Sequence, residues 1–394
     1  MHILLVADGR SPITRRWIEA IRPLGYRLSL ISTFPCEPLP GVTLAAVLPL
    51  AFARFSGNQA GTASPGSHKG LVASFRPLFA RLRHWLGPWS LPFYTRRYRQ
   101  IIVNLKPDLV HALRISFEGM LASATPAGIP LIVSTWGNDL TLHAPASHRM
   151  GHLTRQALLR ADALMSDTRR DVKLAQMWGF NPAKPAMTVV GNGGLDLKAC
   201  QAIVASTARA DPPQIINPRG IRSYVKNDTF FQTIPLVLAS FPNVRFVCVS
   251  MAGQKEALDW VEKLGIEKNV SLLPYLSQAE LWQEYARSTI SVSISTHDGT
   301  PNTLLEAMAF GCLPICGDIE SIREWIEPNV NGLLVPPDDL QLLAEAIMTG
   351  LTDKDLRQKA AAMNQHLVAE KANSIAILAE IDSFYSQISK DKNL

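Results

Sequence analysis

Short apolar segments alternate with amphipathic segments along the whole chain. In the first half, apolar runs predict buried strands at Ile3–Val6, Arg27–Ile31, Asp108–Ala112, Leu131–Ser134 and Ala163–Ser166. Apolar residues at helical spacing predict helices between them, for example at Thr14–Leu24 and Arg169–Trp178. Such alternation is typical of a parallel, doubly wound α/β sheet, whose ligands bind beyond the carboxyl ends of the strands.

A second series of the same kind follows the Gly-rich segment TVVGNGGLD at Thr188–Asp196. Its predicted strands are Gln214–Asn217, Val244–Val249, Val270–Leu273, Ile290–Ser295 and Leu313–Cys316. Because 394 residues exceed what one hydrophobic core usually holds, the pattern predicts two α/β domains. We place them at residues 1–195 and 196–370, with a terminal helical segment at residues 371–394.

The most informative segment runs from Ile294 to Gly317. It predicts a buried strand, a Gly-containing turn, a helix and a second apolar strand. Thr300 is a favourable N-cap, and Pro301 suits the first helical position, where no N–H group is needed. Gly311 suits the end of the helix.

Two carboxylates flank this turn. Asp298 lies at the end of the strand, next to Gly299. Glu306 lies one turn inside the helix, on the face that it shares with Asn302 and Thr303. Free N–H groups of a first helical turn can bind a phosphate, and a carboxylate can accept hydrogen bonds from sugar hydroxyls. The combination suits a nucleotide sugar; the alternative is an ordinary strand, turn and helix with a solvated Asp and a helix-favouring Glu.

Composition narrows the location of the protein. No apolar run reaches the roughly 18 residues that a membrane-spanning helix needs. The N-terminal MHILLVADGR lacks a basic region ahead of its apolar run, so we interpret it as a first strand and not as a signal peptide. Five scattered cysteines favour a reducing compartment. These features predict a cytoplasmic protein, either free or at the inner face of the membrane.

Positive charge is concentrated in the first half of the chain. Residues 1–195 hold 22 Lys and Arg against 9 Asp and Glu, and no acidic residue occurs in the interval 38–107. That interval interleaves basic and aromatic residues, which suits an anionic lipid surface or an acidic acceptor. The alternative is a solvated basic face around a flexible loop. We recognise no nucleic-acid-binding module, and we predict no nucleic-acid partner.

The Asp298-x7-Glu306 pair, followed by Ala-Met-Ala, resembles the E-x7-E signature of the retaining GT-B glycosyltransferases, the glycosyltransferases group 1 (family four). Three other segments resemble this family in the same order, namely Asn192–Asp196, Leu264–Tyr275 and Asn331–Val335. The resemblance implies a GT-B fold. In this fold two Rossmann-like domains face each other across a cleft, and C-terminal helices cross back to the first domain.

The resemblance also implies that an Arg and a Lys in the loop after the first strand of the second domain bind the donor diphosphate. The corresponding text here is NPRGIRSYVKND, which contains Arg219, Arg222 and Lys226. Arg222 and Lys226 come nearest to the usual spacing, with Arg219 as their rival. Surface basic residues in an ordinary loop are the alternative.

In the first domain, the family's Gly-containing loop corresponds to Asp8–Ser11, where Gly9 would permit close backbone approach. His111 corresponds to the first position of a His-x-His strand end, although a core histidine is equally compatible with the sequence. In the segment Ser134–Asp139, Trp136 replaces the usual His and Asp139 is retained. Asp139 is expected to bind a sugar or acceptor hydroxyl, and Trp136 to stack on a sugar ring.

The implied activity is transfer of a hexose-type sugar from a nucleoside diphosphate to an acceptor hydroxyl, with retention at the anomeric carbon. The acceptor is expected to be a sugar or a lipid-linked molecule in polysaccharide or glycolipid assembly. Glu306 would bind ribose hydroxyls, and Asp298 would orient the hexose. Arg222, Lys226 and the Thr300–Thr303 helix start would stabilise the leaving diphosphate.

We expect neither a metal ion nor a further cofactor. The only Asp-x-Asp, Asp353-Lys354-Asp355, lies at a predicted helix start and not at the end of a strand. Two departures from the family pattern, Asp298 for Glu and Trp136 for His, leave two alternatives open. One is a catalytically silent, nucleotide-sugar-binding scaffold, and the other is a nucleotide-sugar epimerase.

Overall fold

The computed structural model describes residues 1–51, 53, 83 and 85–390. Much of the interval 38–107, for which we predicted a membrane or acceptor surface, therefore lies outside the described residues. The chain divides into two compact units. The first is Met1–Gly193 together with the segment that begins at Leu378, and the second is Gly194–Ile377.

The first unit is built on a seven-stranded parallel sheet with the order β3-β2-β1-β4-β5-β6-β7. Its strands are β1 (His2–Ala7), β2 (Arg27–Ser32), β3 (Thr43–Val47), β4 (Leu109–Ala112), β5 (Leu131–Thr135), β6 (Ala163–Ser166) and β7 (Ala186–Thr188). Its helices are α1 (Pro12–Ile21), α2 (Leu91–Leu105), α3 (Met120–Ala122), α4 (His148–Arg160) and α5 (Arg169–Met177). The inner strands β1, β4, β5 and β6 are buried along their whole length, as expected for a parallel sheet covered by helices on both faces.

The second unit contains a six-stranded parallel sheet with the order β10-β9-β8-β11-β12-β13. Its strands are β8 (Gln214–Asn217), β9 (Arg245–Cys248), β10 (Val270–Leu272), β11 (Ile290–Ser293), β12 (Leu313–Gly317) and β13 (Leu333–Val335). Its helices are α6 (Leu197–Ser206), α7 (Asn227–Ser240), α8 (Lys255–Leu264), α9 (Gln278–Arg287), α10 (Asn302–Ala309), α11 (Leu340–Thr352) and α12 (Lys354–Lys371). Side-chain caps define several helix starts, most completely at Ser277, which forms a capping box with Glu280.

The last helix, α13 (Ser374–Lys390), returns to the first unit from Leu378 onward. Its Tyr385 is fully buried there and its hydroxyl contacts Nδ1 of His111 at 2.7 Å. Trp17 Nε1 donates to the same hydroxyl at 3.3 Å. The predicted fold, with two Rossmann-like parallel-sheet units and a C-terminal helix that crosses back, is confirmed. Among the described residues, no helix combines the length and apolar character required to span a membrane.

Candidate active site

The helix α10 and the turn before it form the core of the site in the second unit. The helix begins at Asn302, and Pro301 is its N-cap, with an extended backbone at ψ 130°. The predictions that Thr300 caps the helix and that Pro301 is its first residue are therefore both wrong by one position. The Thr300 hydroxyl accepts a hydrogen bond from Trp325 Nε1 at 3.1 Å. The first two N–H groups of α10, those of Asn302 and Thr303, have no acceptor within the helix and can bind an anion.

Arg219 connects the loop after β8 to this helix start. Its guanidinium donates from Nη2 to Asp298 Oδ2 at 2.6 Å and from Nη1 to the hydroxyl of Thr303 at 3.2 Å. The loop is held in turn by Asn217, whose Oδ1 accepts from the Arg219 amide at 3.1 Å. Only 5% of the Arg219 side chain is exposed, against 17% for Asp298. A cation, a carboxylate and a helix N-terminus therefore meet at one point.

The other two predicted cations have different partners. Arg222 is exposed and donates from Nη1 to the hydroxyl of Tyr224 at 2.9 Å. Lys226 pairs with Asp338 and lies 4.0 Å from a carboxylate oxygen of Asp228. The hydrogen bond to Asp338 raises the pKa of Lys226. The structure thus brings Arg219 to Asp298, while Arg222 and Lys226 occupy later positions on the same loop.

Glu306 is buried beneath the helix start and is oriented by helix α9. Its Oε1 accepts from Gln278 Nε2 at 2.6 Å and from Trp282 Nε1 at 3.4 Å. Tyr285, on the same face of α9, donates its hydroxyl to the carbonyl of Thr303 at 3.0 Å. Sequence reasoning missed this supporting face, although the i, i+4, i+7 spacing of Gln278, Trp282 and Tyr285 was a usable signal.

Main-chain contacts fix the turn itself. The Gly299 amide donates to Asp298 Oδ1 at 3.1 Å, and Ser321 Oγ donates to the Asp298 carbonyl at 2.8 Å. The Asp298 carboxylate is thereby shared between its own turn and Arg219. It lies between the end of β11 and the start of α10.

In the first unit, Asp139 is buried and serves as a structural anchor. It accepts from Arg114 Nε at 3.0 Å, from Ser116 Oγ at 2.9 Å and from the amides of Ile115 and Trp136, each at 3.2 Å. Burial by itself would raise the pKa of Asp139, but the charges of Arg114 and His143 and these hydrogen bonds outweigh burial and lower it. The carboxylate therefore holds Arg114 and the turn after β4 in place.

His111 lies in the core, with both ring nitrogens engaged. Its Nδ1 contacts the Tyr385 hydroxyl and its Nε2 contacts the Ser134 hydroxyl, each at 2.7 Å. Burial lowers the pKa of His111 to about 3. The ring stays neutral at physiological pH and links β4 and β5 to the returning helix α13.

Gly9 and Trp136 lie at the carboxyl ends of β1 and β5. A Cβ on Gly9 would lie 2.5 Å from Cys36 Sγ, so a glycine is needed for close packing of the segment after β2. Trp136 is half-buried and lines an open cavity of about 320 Å³, together with Arg114, whose guanidinium lies 5.0 Å from the centre of the Trp136 ring. The structure therefore places Trp136 at a cavity, whereas Gly9 lies beside its wall.

Solved structures with the same architecture define the class. The chain is similar to sucrose-phosphate synthase from Thermosynechococcus elongatus, with a TM-score of 0.71, 17% identity and coverage of 98% of this chain and 99% of that chain. It is also similar to Anabaena HepE in complex with UDP-glucose, with a TM-score of 0.69, 16% identity and coverage of 98% and 100%. The fold is that of the GT-B glycosyltransferases.

Family models identify the group within that class. Residues 202–366 match glycosyl transferases group 1, and residues 8–193 match the glycosyl transferase 4-like domain. The chain belongs to the glycosyl transferases group 1 family.

Two curated relatives share parts of this sequence. A GDP-mannose:cellobiosyl-diphosphopolyprenol alpha-mannosyltransferase of Xanthomonas campestris is 26% identical over 254 residues, which are 61% of this chain and 63% of that protein. An exopolysaccharide phosphotransferase of Streptomyces coelicolor is 31% identical over 146 residues, which are 36% of this chain and 15% of that protein. The chain thus spans less than two thirds of the length of each of these relatives.

Proposed function

We propose that the chain transfers a hexose-type sugar from a nucleoside diphosphate to an acceptor hydroxyl, with retention at the anomeric carbon, in polysaccharide or glycolipid assembly. The observation that carries this proposal is the Arg219 guanidinium, held between Asp298 and Thr303 at the start of α10. A buried cation beside free helix N–H groups suits a diphosphate, whose charge increases as the sugar leaves. Arg222 and Lys226 would supply further positive charge from the same loop.

Glu306 and Asp298 would bind the two sugars of the donor. The Glu306 carboxylate, oriented by Gln278 and Trp282, would accept hydrogen bonds from ribose hydroxyls. Asp298 would orient the hexose and stabilise positive charge that develops at the anomeric carbon. Such a site needs no metal ion, because Arg219 and the helix start neutralise the leaving group.

The first unit would bind the acceptor. Trp136 offers a ring face to a sugar at the cavity, and Asp139 would act by holding Arg114 in position. One relative is named as a mannosyltransferase that acts on cellobiosyl-diphosphopolyprenol, and another as an exopolysaccharide phosphotransferase. These names support a lipid-linked or polysaccharide acceptor for this chain.

A membrane-facing surface would give access to such an acceptor. Trp85 and Phe93 are 70% and 83% exposed, and the exposed Arg96, Arg97 and Arg99 follow on α2. Aromatic side chains beside arginines suit the interface of an anionic membrane. We therefore place the protein at the cytoplasmic face of a membrane, as a peripheral protein.

Donor binding tests the proposal. UDP-, GDP- and ADP-sugars would be titrated against the purified chain by calorimetry, together with Glu306→Gln and the matched surface variant Glu262→Gln. We expect one nucleotide class to bind the chain and Glu262→Gln alike, and to bind Glu306→Gln at least about tenfold more weakly, since a charge-assisted hydrogen bond contributes about 1.5–3 kcal/mol. If Glu306→Gln binds the nucleotide as tightly as the unmodified chain, Glu306 is not part of the donor site.

A further inference from the structure

Three guanidinium groups line the cavity of about 320 Å³ in the first unit. They belong to Arg10, which follows β1, to Arg114, which follows β4, and to Arg83. Asp8 and Glu118 are the carboxylates of the lining, so the arginines exceed the acids by one. Arg83 belongs to the interval 38–107, for which the charge pattern predicts an anionic lipid surface or an acidic acceptor, and Arg10 lies in the predicted Asp8–Ser11 loop; Arg114 and Glu118 were not predicted from the sequence.

The three arginines differ in how their charge is balanced. Asp8 binds Arg10 through two hydrogen bonds of 3.2 Å, and Asp139 binds Arg114. Arg83 has no ion-pair partner among the described residues. The neighbouring chain cannot supply one, because residues 38–107 contain no Asp or Glu. The charges of Glu118 and Asp8 favour the charged form of Arg83, but neither carboxylate forms an ion pair with it, so its guanidinium N–H groups keep room for an anion.

Aromatic rings hold Arg83 in position. Its guanidinium carbon lies 4.9 Å from the centre of the Phe34 ring and 5.1 Å from that of Phe117. Within the described part of the chain, its buried Nε has no hydrogen-bond acceptor. Burial lowers the pKa of Arg83, which is the effect of a charge that lacks sufficient compensation. An arginine fixed in this way is ready to bind an anion with two parallel N–H groups.

Glu118 adds a second unsatisfied polar atom to the same cavity. Its Oε1 accepts from the Thr33 hydroxyl at 2.6 Å, whereas its buried Oε2 has no partner among the described residues. A buried polar atom without a partner costs about 1–3 kcal/mol, so two of them in one lining indicate a ligand that satisfies both. That ligand must present an anionic group to Arg83 and a hydroxyl to Glu118.

We infer that this cavity binds a phosphate group of the acceptor, with Arg83 as its main ligand and Arg10 and Arg114 beside it. Glu118 accepts a hydrogen bond from a neighbouring hydroxyl of the same sugar, and Trp136 packs against the sugar ring. The inference rests on the proposed function and names the chemical class of the acceptor, a phosphorylated sugar. The phosphate can belong to a soluble sugar phosphate or to a lipid-linked sugar diphosphate.

Calorimetry on the full chain tests this assignment, with the donor site saturated by the nucleoside diphosphate that binds best. The probes are a hexose 1-phosphate, the parent hexose, and a short-chain polyprenyl-diphosphate-linked hexose in detergent, with empty micelles as its blank. We expect phosphate-dependent binding that weakens at least tenfold in Arg83→Gln and is partly restored in Arg83→Lys. The exposed Arg15→Gln, which removes the same charge from α1, should bind like the unmodified chain.

The two phosphate probes distinguish the two sources. Tight binding of the hexose 1-phosphate assigns a soluble acceptor, and binding of the lipid-linked probe alone assigns a lipid-linked one. Equal affinity for hexose and hexose phosphate, or unchanged phosphate affinity in Arg83→Gln, would overturn the inference. Donor binding by Glu306→Gln is measured in a separate titration. An error in the donor-site assignment and an error in the phosphate-site assignment therefore give different results.

A second measurement covers the case in which Arg83→Gln does not fold. The unmodified chain is labelled with 5-fluorotryptophan, and the Trp136 signal is assigned with Trp136→Phe. We expect the fluorine resonance of Trp136 to shift with hexose 1-phosphate at concentrations at which the parent hexose leaves it unchanged. A resonance that responds to neither ligand, or equally to both, contradicts a phosphate site at this cavity.

Discussion

Replacement of Arg219 by Gln should affect both the stability of the second unit and its affinity for a nucleoside diphosphate. The substitution removes the guanidinium, whose Nη2 lies 2.6 Å from Asp298 Oδ2 and whose Nη1 lies 3.2 Å from the hydroxyl of Thr303. It retains much of the side-chain volume and leaves one amide donor. The change therefore tests the charge of Arg219 more than its packing.

The magnitude follows from the surroundings of the pair. A hydrogen bond to a charged group contributes about 1.5–3 kcal/mol, and removal of one partner leaves the other unpaired. Because 17% of the Asp298 side chain is exposed, water can hydrate its carboxylate, and we expect the lower part of that range for the free energy of unfolding. For binding, loss of about 2–3 kcal/mol of phosphate contact corresponds to a roughly 30- to 150-fold weaker affinity.

Urea unfolding and calorimetry with UDP and GDP would measure these two effects. Arg245→Gln is the matched control, because Arg245 is exposed at the start of β9 in the same unit. The double variant Arg219→Gln/Asp298→Asn should recover part of the stability, since it removes the unpaired carboxylate, but none of the nucleotide affinity. If Arg219→Gln binds the nucleotide within twofold of the affinity of the unmodified chain, Arg219 is not a phosphate ligand. Arg222 and Lys226 would then be the candidates for this role.

Two further predictions concern the first unit. The pKa of His111 is about 3 in the folded chain and about 6.5 in the unfolded chain, so its contribution to stability is complete above pH 6.5 and is lost as the pH falls. We expect His111 to account for a loss of about 2 kcal/mol in the free energy of unfolding at pH 5. In urea unfolding, the dependence of this free energy on pH should be weaker in His111→Asn but unchanged in the exposed His366→Asn. Equal pH dependence in the two variants would contradict this account. The chain should also co-sediment with anionic vesicles in a salt-sensitive manner. Its affinity for the vesicles should fall at least about a hundredfold in Trp85→Ser/Phe93→Ser, because burial of each aromatic side chain contributes about 1.5–3 kcal/mol. Absence of vesicle binding at low salt would exclude the membrane surface.

The order of the elements could be predicted because both sheets are parallel and buried, so their strands appear as short apolar runs. The strand at Gln214–Asn217 follows directly from such a local pattern, and so does the helix stop at Gly311, which lies just beyond the end of α10 and has φ +66°. Helical spacing likewise predicts that Glu306 shares a face of α10 with Asn302 and Thr303, although it does not reveal that Glu306 is buried. Patterns among neighbouring residues were therefore sufficient to predict the strands and helices whose conformation those residues determine.

Long-range contacts explain what the sequence did not reveal. Tyr385 lies 274 residues from His111, so nothing near His111 shows that both of its ring nitrogens are engaged. Thr300 has the residue type of an N-cap, but Trp325 competes for its hydroxyl from the loop after β12. Which cation of the NPRGIRSYVKND loop reaches Asp298 depends on the loop conformation, and spacing alone favoured Arg222 and Lys226 over Arg219.

Glycosyl transfer itself can be followed by proton NMR of the anomeric signals, with the donor sugar that binds best and a phosphorylated or lipid-linked hexose as acceptor. We predict that a new glycoside forms with the anomeric configuration of the donor, and that one nucleoside diphosphate is released for each sugar transferred. An inverted product would contradict retention. Donor that binds without turnover, or that changes its sugar without any acceptor, would contradict glycosyl transfer.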